Sequence, residues 1–323
     1  MKFRRLGKSD LQLSVIGLGG NTFGPPRIDQ QQTTRCILHA LELGVNFIDT
    51  ASIYGQGMSE TFIGNALQGR RDQAVIATKF NLSKMKDGET VRERIIGSCE
   101  ASLGKLRTDR IDLLQIHAPD GSVAPEEILA PLAELVRQGK IRHIGECNYA
   151  AWRHMESLCV SRKHGWPELV AAQNHYNLVR RHVELELLPF CQAQQIGFIP
   201  YHPLAGGFLT DKYEKGKLAP AGSRGAAGSP IVTRMRSPAR ENLQDRLKHW
   251  AHSKGHTLGE LAVAWLLARR EVTSVIAGVS TPEQVELNVA GAQWQLGEDE
   301  RKEVDAIAAW DGSTESIEMT LSR

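Results

Sequence analysis

The stretch Val45-Asn46-Phe47-Ile48-Asp49-Thr50-Ala51-Ser52-Ile53-Tyr54-Gly55 decides how the chain is read. Val45 to Ile48 is too short and too β-branched for a helix, and Gly44 closes the helical segment before it. The run reads as a buried strand that ends in an acid and enters a loop carrying a tyrosine five residues later. Two further apolar runs, Ala74-Val75-Ile76-Ala77-Thr78-Lys79 and Ile111-Asp112-Leu113-Leu114-Gln115-Ile116-His117, each end in one titratable residue. An Asp, a Tyr, a Lys and a His at the ends of three successive strands can meet at the C-terminal face of a parallel barrel, where such proteins keep their chemistry.

Outward from this stretch the chain alternates. Strands are predicted at 16–20, 45–49, 74–79, 111–117, 141–146, 169–173, 197–201 and 273–277. Helices are predicted at 29–43, 59–68, 90–104, 125–138, 150–163, 182–195, 257–269 and 282–291. Eight βα units imply parallel strands joined by right-handed crossovers. The expectation is therefore an α/β chain, a (β/α)8 TIM barrel occupying residues 1–323 as one domain. Residues 3–15 read as an N-terminal β-hairpin turning at Gly7 to Asp10. Residues 211–240 are rich in Gly, Pro and Ser and form a long loop after strand 7, placed over the barrel mouth. Amphipathic stretches at 241–253 and 298–310 are extra helices toward the C-terminus. A doubly wound dinucleotide-binding sheet is rejected. In Gly17-Leu18-Gly19-Gly20-Asn21-Thr22 the last glycine of the fingerprint is missing, and Pro25 and Pro26 prevent a helix from opening there.

Bulk composition agrees with a large core: 323 residues at 41% hydrophobic content suit one big barrel or two medium domains. A net charge of +2 with no block of like charges points to neither nucleic acid nor membrane as a partner. Five scattered cysteines, Cys36, Cys99, Cys147, Cys159 and Cys191, lack metal or redox spacing and read as reduced thiols of a cytoplasmic protein. The basic N-terminus has no apolar core behind it, so no signal peptide is expected. No apolar run approaches the roughly 20 residues a membrane helix requires.

The four residues suit one another chemically. Tyrosine, with a reference pKa of about 10, is a poor acid or base alone. A lysine ammonium beside it favours the phenolate and lowers that pKa, and a carboxylate holds the lysine in place. A histidine across the site can hydrogen-bond the carbonyl oxygen that Tyr54 protonates. Together they suit reduction of a C=O group, with donors placed where charge builds on oxygen. Each has an ordinary reading too: Asp49 as a loop cap, Lys79 as a solvated strand end, His117 as structural, and Asp112 as a surface acid at a ladder end.

These segments resemble the aldo-keto reductase superfamily across nearly the whole chain, in its bacterial-type branch related to the potassium-channel β-subunits. Asn46 to Ala51 with Tyr54-Gly55, Ala77-Thr78-Lys79, and Asp112 to His117 carry the likeness. It implies a catalytic tetrad of Asp49, Tyr54, Lys79 and His117. Tyr54 would be the general acid, Lys79 and Asp49 would tune it, and His117 would orient the carbonyl.

The resemblance also implies NADPH, with NADH as the alternative, held without a Rossmann domain. Gly20, Asn21 and Asp49 belong to that set. Asn148 and Gln173 would hold the carboxamide, with Cys147 in place of the usual serine as a weaker hydrogen-bond partner. Tyr201 would stack on the nicotinamide, with His202 where serine is commoner. Pro203, Leu204, Ala205, Gly206 and Gly207 would let backbone approach the pyrophosphate. Gly278, Ser280, Gln284 and Asn288 would hold the adenosine end. There the sequence itself predicts a helix N-terminus, with Thr281 or Ser280 as N-cap, Pro282 in the first turn and Gln284 completing a capping box with Thr281. Relatives that strongly select NADPH carry Lys and Arg in this segment. This chain has neither between Gly278 and Asn288, so Lys212 and Arg224 in the long loop are the candidates for that charge.

The partner expected is a small carbonyl compound, with oligomeric state open. Specificity is expected from Asn21 to Arg27, from Lys84 to Gly88, from the loop after strand four and from the C-terminus, with Phe23, Phe80 and Trp310 as the aromatics in view. The reading from another class is a regulatory subunit that holds a nicotinamide nucleotide as a redox sensor and turns over slowly. A metal-dependent hydrolase is a third. It needs clustered His and carboxylates, no metal ligands are expected, and His175 has no evident acid partner.

Overall fold

Residues 1–309, apart from Lys84, are described by a computed structural model, the side chains of Pro230, Ile231 and Arg234 excepted. A hairpin of β1 (Phe3–Arg5) and β2 (Gln12–Ser14) precedes eight parallel strands. These are β3 (Ile16–Gly19), β4 (Phe47–Asp49), β5 (Val75–Phe80), β6 (Ile111–Ile116), β7 (Ile141–Cys147), β8 (Ala171–Gln173), β9 (Gly197–Phe198) and β10 (Val275–Gly278). Each pairs with the next in chain order, and β10 pairs with β3. Bridges from Phe198 to Val272 and from Tyr201 to Ile276 close the ring, so the sheet is a (β/α)8 barrel.

Alternation along each strand sorts the side chains. Phe47, Ala77, Leu113, Ala171, Ile199 and Ile276 fill the interior together with Leu6, Leu11 and Leu13 of the hairpin, which plugs the N-terminal end. Ile48, Ile76, Ile116 and Ile144 point outward into the shell beneath the helices. The same period of two puts Asp49, Lys79, Gln115, Cys147 and Gln173 on the inner face, one or two residues beyond the apolar layer.

The helices that follow successive strands are α1 (Gln30–Glu42), α2 (Ser59–Ala66), α3 (Val91–Leu106), α4 (Pro125–Arg137), α5 (Ala151–His164) and α6 (Leu187–Gln194). Then come α7 (Pro230–Met235), α8 (Pro238–Ser253), α9 (Leu258–Leu267), α10 (Pro282–Gln293) and α11 (Glu298–Ile307). Their starts are set locally. Asp29 accepts from the Gln32 N–H at 2.8 Å, and Thr90 with Glu93 and Thr257 with Glu260 form capping boxes on α3 and α9. No helix among the described residues is long and apolar enough to cross a membrane.

Four expectations are corrected. The helix expected from residue 182 is a short 3₁₀ turn at His182–Glu184, and α6 starts only at Leu187. The long loop is not irregular throughout, because Pro230 and Pro238 sit in the first turns of α7 and α8, where a missing N–H costs nothing. At α10 Thr281 makes no side-chain cap; Gln284 instead accepts from the Ser280 N–H at 2.8 Å, one residue earlier than a capping box requires. Asp112 is no surface acid: it is 2% exposed and held by Arg71, Arg142 and the Ile76 N–H.

Candidate active site

At the C-terminal end of the barrel the inward residues just past the apolar layer form one buried polar network. Lys79 is fully buried and Asp49 is 3% exposed. The Lys79 ammonium donates to Asp49 Oδ2 at 2.6 Å and to the Thr50 carbonyl at 2.8 Å. The other carboxylate oxygen, Oδ1, accepts from Gln173 Nε2 at 2.9 Å and from Gln115 Nε2 at 3.2 Å. Asp49 is therefore saturated by partners from three other strands of the barrel, which fixes Lys79 in turn. Lys79 is thus not a solvated strand end.

Tyr54 reaches this network from the loop after β4. Gly55 and Gln56 have φ of 55° and 56°, which turns the chain back so that the phenol points over the barrel. Lys79 Nζ lies 5.2 Å from the centre of the Tyr54 ring, and the His117 ring stands edge-on to it with centroids 5.7 Å apart. Burial pushes the Tyr54 phenol above its ordinary pKa, and the pull of Lys79 in the opposite direction does not overcome it. The net direction is thus upward, against the expectation from charge pairing alone. Burial works against the Lys79 ammonium too, but Asp49 more than compensates and its pKa stands above the ordinary value. The upward direction favours the phenol form of Tyr54 beside the Lys79 ammonium, an arrangement that can pass a proton to an oxygen gaining negative charge.

A cleft of about 830 Å³ opens from this network and runs along the strand ends. Asp49, Tyr54, His117, Cys147, Asn148, Gln173, Tyr201, His202, Pro203, Leu204, Gly206, Gly207, Lys212 and Arg224 line it. So do Asn21, Gly278, Ser280, Gln284 and Asn288. Three expected residues do not reach the wall. Lys79 acts from beneath it, Ala205 is buried in the core, and Gly20 packs under it against Ser59 and the Asp49 carbonyl. Phe23 and Phe80 are likewise core residues and supply no specificity contact. Trp310 and Lys84 lie outside the described residues.

Several contacts shape the wall of the cleft. The Tyr201 ring stacks on His175 with centroids 5.2 Å apart, and its hydroxyl donates to Asn148 Oδ1 at 2.7 Å. Asn148 Nδ2 donates to the His117 carbonyl at 3.1 Å. Cys147 contributes little: its thiol meets Gln173 Oε1 at 3.6 Å, and burial pushes its pKa up to about 12. Of the six non-glycine residues with positive φ among those described, Asn148, His202 and Ala205 lie in the segments just past strands β7 and β9. Strained backbone of this kind clusters at ligand sites. Gly207, at φ 102°, holds a conformation that a side chain would strain, and its Cα lies against the end of Lys212, whose Nζ a Cβ there would approach to 2.5 Å. Backbone and ammonium thus stand side by side on the cleft wall. Among the described residues no three His, Cys, Asp or Glu side chains cluster as metal ligands.

Sequence reasoning missed several of the lining residues, among them Ile53, Thr210, Asp211, Thr257, Glu260 and Leu287, and it missed Gln115 beneath. Thr257 and Glu260 were findable from their capping-box spacing. Gln115 was visible as the one amide alternating inward on β6.

The chain matches the Aldo/keto reductase family over residues 15–309. It is 33% identical to the "Putative voltage-gated potassium channel subunit beta" of Schizosaccharomyces pombe, covering 94% of this chain and 92% of that one. It is 29% identical to versiconal hemiacetal acetate reductase of Aspergillus parasiticus, covering 93% and 95%. It is also 32% identical to the "Uncharacterized oxidoreductase YrpG" of Bacillus subtilis, covering 92% of each. The chain belongs to the aldo/keto reductase family, oxidoreductases that use nicotinamide cofactors.

Proposed function

We propose that this family member, acting as one domain in the cytoplasm, reduces an aldehyde or ketone to an alcohol, with NADPH preferred and NADH as the alternative. The observation that carries the reading is the Tyr54 phenol lining the cleft beside the buried Lys79–Asp49 pair. Asp49 and the two glutamines hold Lys79 rigid. Lys79 then stabilises negative charge as Tyr54 passes its proton to the carbonyl oxygen, and His117 orients that oxygen from the other side. Tyr201, Asn148 and Gln173 would hold the nicotinamide, the run from Pro203 to Gly207 with Lys212 the phosphates, and Ser280, Gln284 and Asn288 the adenosine end. When bound, the cofactor supplies the hydride. No lysine or arginine stands between Gly278 and Asn288, so the preference for NADPH rests on the cations of the long loop.

The test is consumption of NADPH, and separately of NADH, with 4-nitrobenzaldehyde by wild type and Tyr54→Phe. The expected loss is about 100-fold or more, the scale of lost acid catalysis. Equal rates in the two proteins would remove Tyr54 from the role. The likeness to the fission-yeast relative favours a second reading, a nucleotide-holding regulatory subunit. Cofactor release that is slow against every aldehyde tried would give that reading the lead.

A further inference from the structure

We propose that residues 20–24, the turn after β3, form a rigid strut that couples residues 278–280 to Tyr54, so that a nucleotide bound at the first positions the second. Thr22 and Gly24 are then positioning residues for the proton donor. The inference rests on the reductase reading of the cleft and adds to it a link between two parts of its wall.

Strand order places β3 between β10 and β4. Gly19 pairs in register with Gly278 on one side and with Asp49 on the other. The chain leaving β3 therefore emerges between the loop of Ser280 and the loop of Tyr54, and it touches both. Toward β10, the Thr22 hydroxyl donates to the Val279 carbonyl at 2.6 Å. Asn21 Oδ1 lies against Gly278, where a Cβ would approach it to 2.9 Å. Toward β4, Gly24 and Gly55 meet backbone to backbone. A Cβ on Gly24 would stand 2.9 Å from Gly55 Cα, and one on Gly55 would strike the Phe23 carbonyl. Gly55, at φ 55°, begins the turn that aims Tyr54 over the barrel.

Between these contacts the strut has little freedom. Gly20–Thr22 is a 3₁₀ turn, closed by the Phe23 N–H donating to the Gly20 carbonyl at 3.0 Å. Thr22 is 2% exposed, and Phe23 is fully buried in the core. The Ser59 hydroxyl donates to the Gly20 carbonyl at 2.8 Å and meets the Thr50 hydroxyl at the same distance. A shift at Val279 thus reaches Gly55 through packed backbone, the kind of rigid element that carries energetic coupling. Asn21, Gly278, Ser280 and Tyr54 line the cleft, whereas Thr22 and Gly24 do not. The last two act only through their neighbours.

The experiment reads amide hydrogen exchange in residues 52–58 with and without adenosine 2′,5′-bisphosphate, which carries the adenosine end of NADPH and no nicotinamide. Wild type, Thr22→Val and Thr22→Ser are compared at saturation fixed by calorimetry, with β6 as the control for global loosening. In wild type the fragment should slow exchange there by about fivefold, the lower end of typical coupling between sites. Thr22→Val should bind the fragment and lose the slowing, and Thr22→Ser should keep most of it. With 4-nitrobenzaldehyde and saturating NADPH, Thr22→Val should lower kcat by about fivefold, but by under about twofold in the Tyr54→Phe background, where no hydroxyl remains to position. Absence of slowing in wild type, slowing that survives Thr22→Val, or equal losses of kcat in both backgrounds overturns the strut. Wild type that does not bind the fragment overturns the nucleotide reading of residues 278–280 and the strut with it. Slowing as predicted in a protein that reduces no aldehyde supports the strut and overturns the reductase reading alone.

Discussion

Two buried carboxylates sit at opposite ends of β4 and β6, the strands on either side of β5, and their surroundings differ in one respect. Asp112, the second residue of β6, is held at the N-terminal end by Arg71 at 2.7 Å, Arg142 at 3.1 Å and the Ile76 N–H at 2.9 Å. Asp49, the last residue of β4, is held by Lys79, Gln115 and Gln173 at comparable distances. Both are closed networks of charge-assisted bonds. Arg142 continues into Asp10 of the hairpin, so the lower network ends in the plug. The upper one borders the cleft that Tyr54 overhangs. On the proposed reading the same chemistry serves cohesion at one end and proton transfer at the other, and what decides is whether a void adjoins it.

That contrast can be broken by substitution. Lys79→Met should have the largest effect, because it strips Asp49 of its cation and Tyr54 of its charged neighbour at once. The account expects turnover to fall by about 100-fold or more, and stability to fall by about 3 kcal/mol in chemical denaturation. Asp112→Ala should cost less, about 2 kcal/mol, because Arg71 and Arg142 lose a shared partner while Arg142 keeps Asp10 and Arg71 keeps its carbonyl partners, and it should leave kcat of the folded enzyme level. A matching loss of kcat would erase the distinction between the two ends. Gln115→Leu should cost only about 1 kcal/mol of stability, as one hydrogen bond to Asp49 is lost. It should lower turnover less than Lys79→Met does.

The pH dependence sharpens the same point. Reduction uses the protonated phenol, and the Tyr54 pKa stands above its ordinary 10.0. The Tyr54 step of reduction should therefore stay level up to that value and fall only as pH rises through the raised pKa. Oxidation of the alcohol needs the phenolate and should climb over the same range. Lys79→Met removes the one downward pull of charge, so both limbs should move to higher pH. Limbs that move lower would contradict the geometry. Cys147→Ser should have the smallest effect, a modest tightening of cofactor binding in titration, because a hydroxyl is the better partner for Gln173.

Much of this was legible in the chain. The strand ending in Asp49, the one ending in Lys79 and the one ending in His117 could be read from apolar runs with a single titratable residue at the close, since burial on both faces leaves no other reading for short β-branched segments. Strand alternation then carries Asp49, Lys79, Gln115, Cys147 and Gln173 to one side without further assumption. Three-dimensional contacts decide the rest. Gln284 sat at capping-box spacing, yet it accepts from Ser280 rather than bridging to Thr281, because backbone direction before the helix sets which N–H is in reach. Gly24 lay in a proline-rich loop whose path over Tyr54 no periodicity encodes. The direction of the Tyr54 shift depends on how tightly the wall closes round the phenol, which residue types cannot tell.

The most direct measurement sets Asp49→Asn against Asp112→Asn, reading kcat for reduction of 4-nitrobenzaldehyde and Tm on the same preparations. The account predicts that Asp49→Asn loses about 100-fold in kcat through its loosened hold on Lys79, while Asp112→Asn loses Tm and keeps its kcat. Equal losses of kcat in the two variants, or an Asp49→Asn enzyme that turns over like wild type, would contradict it.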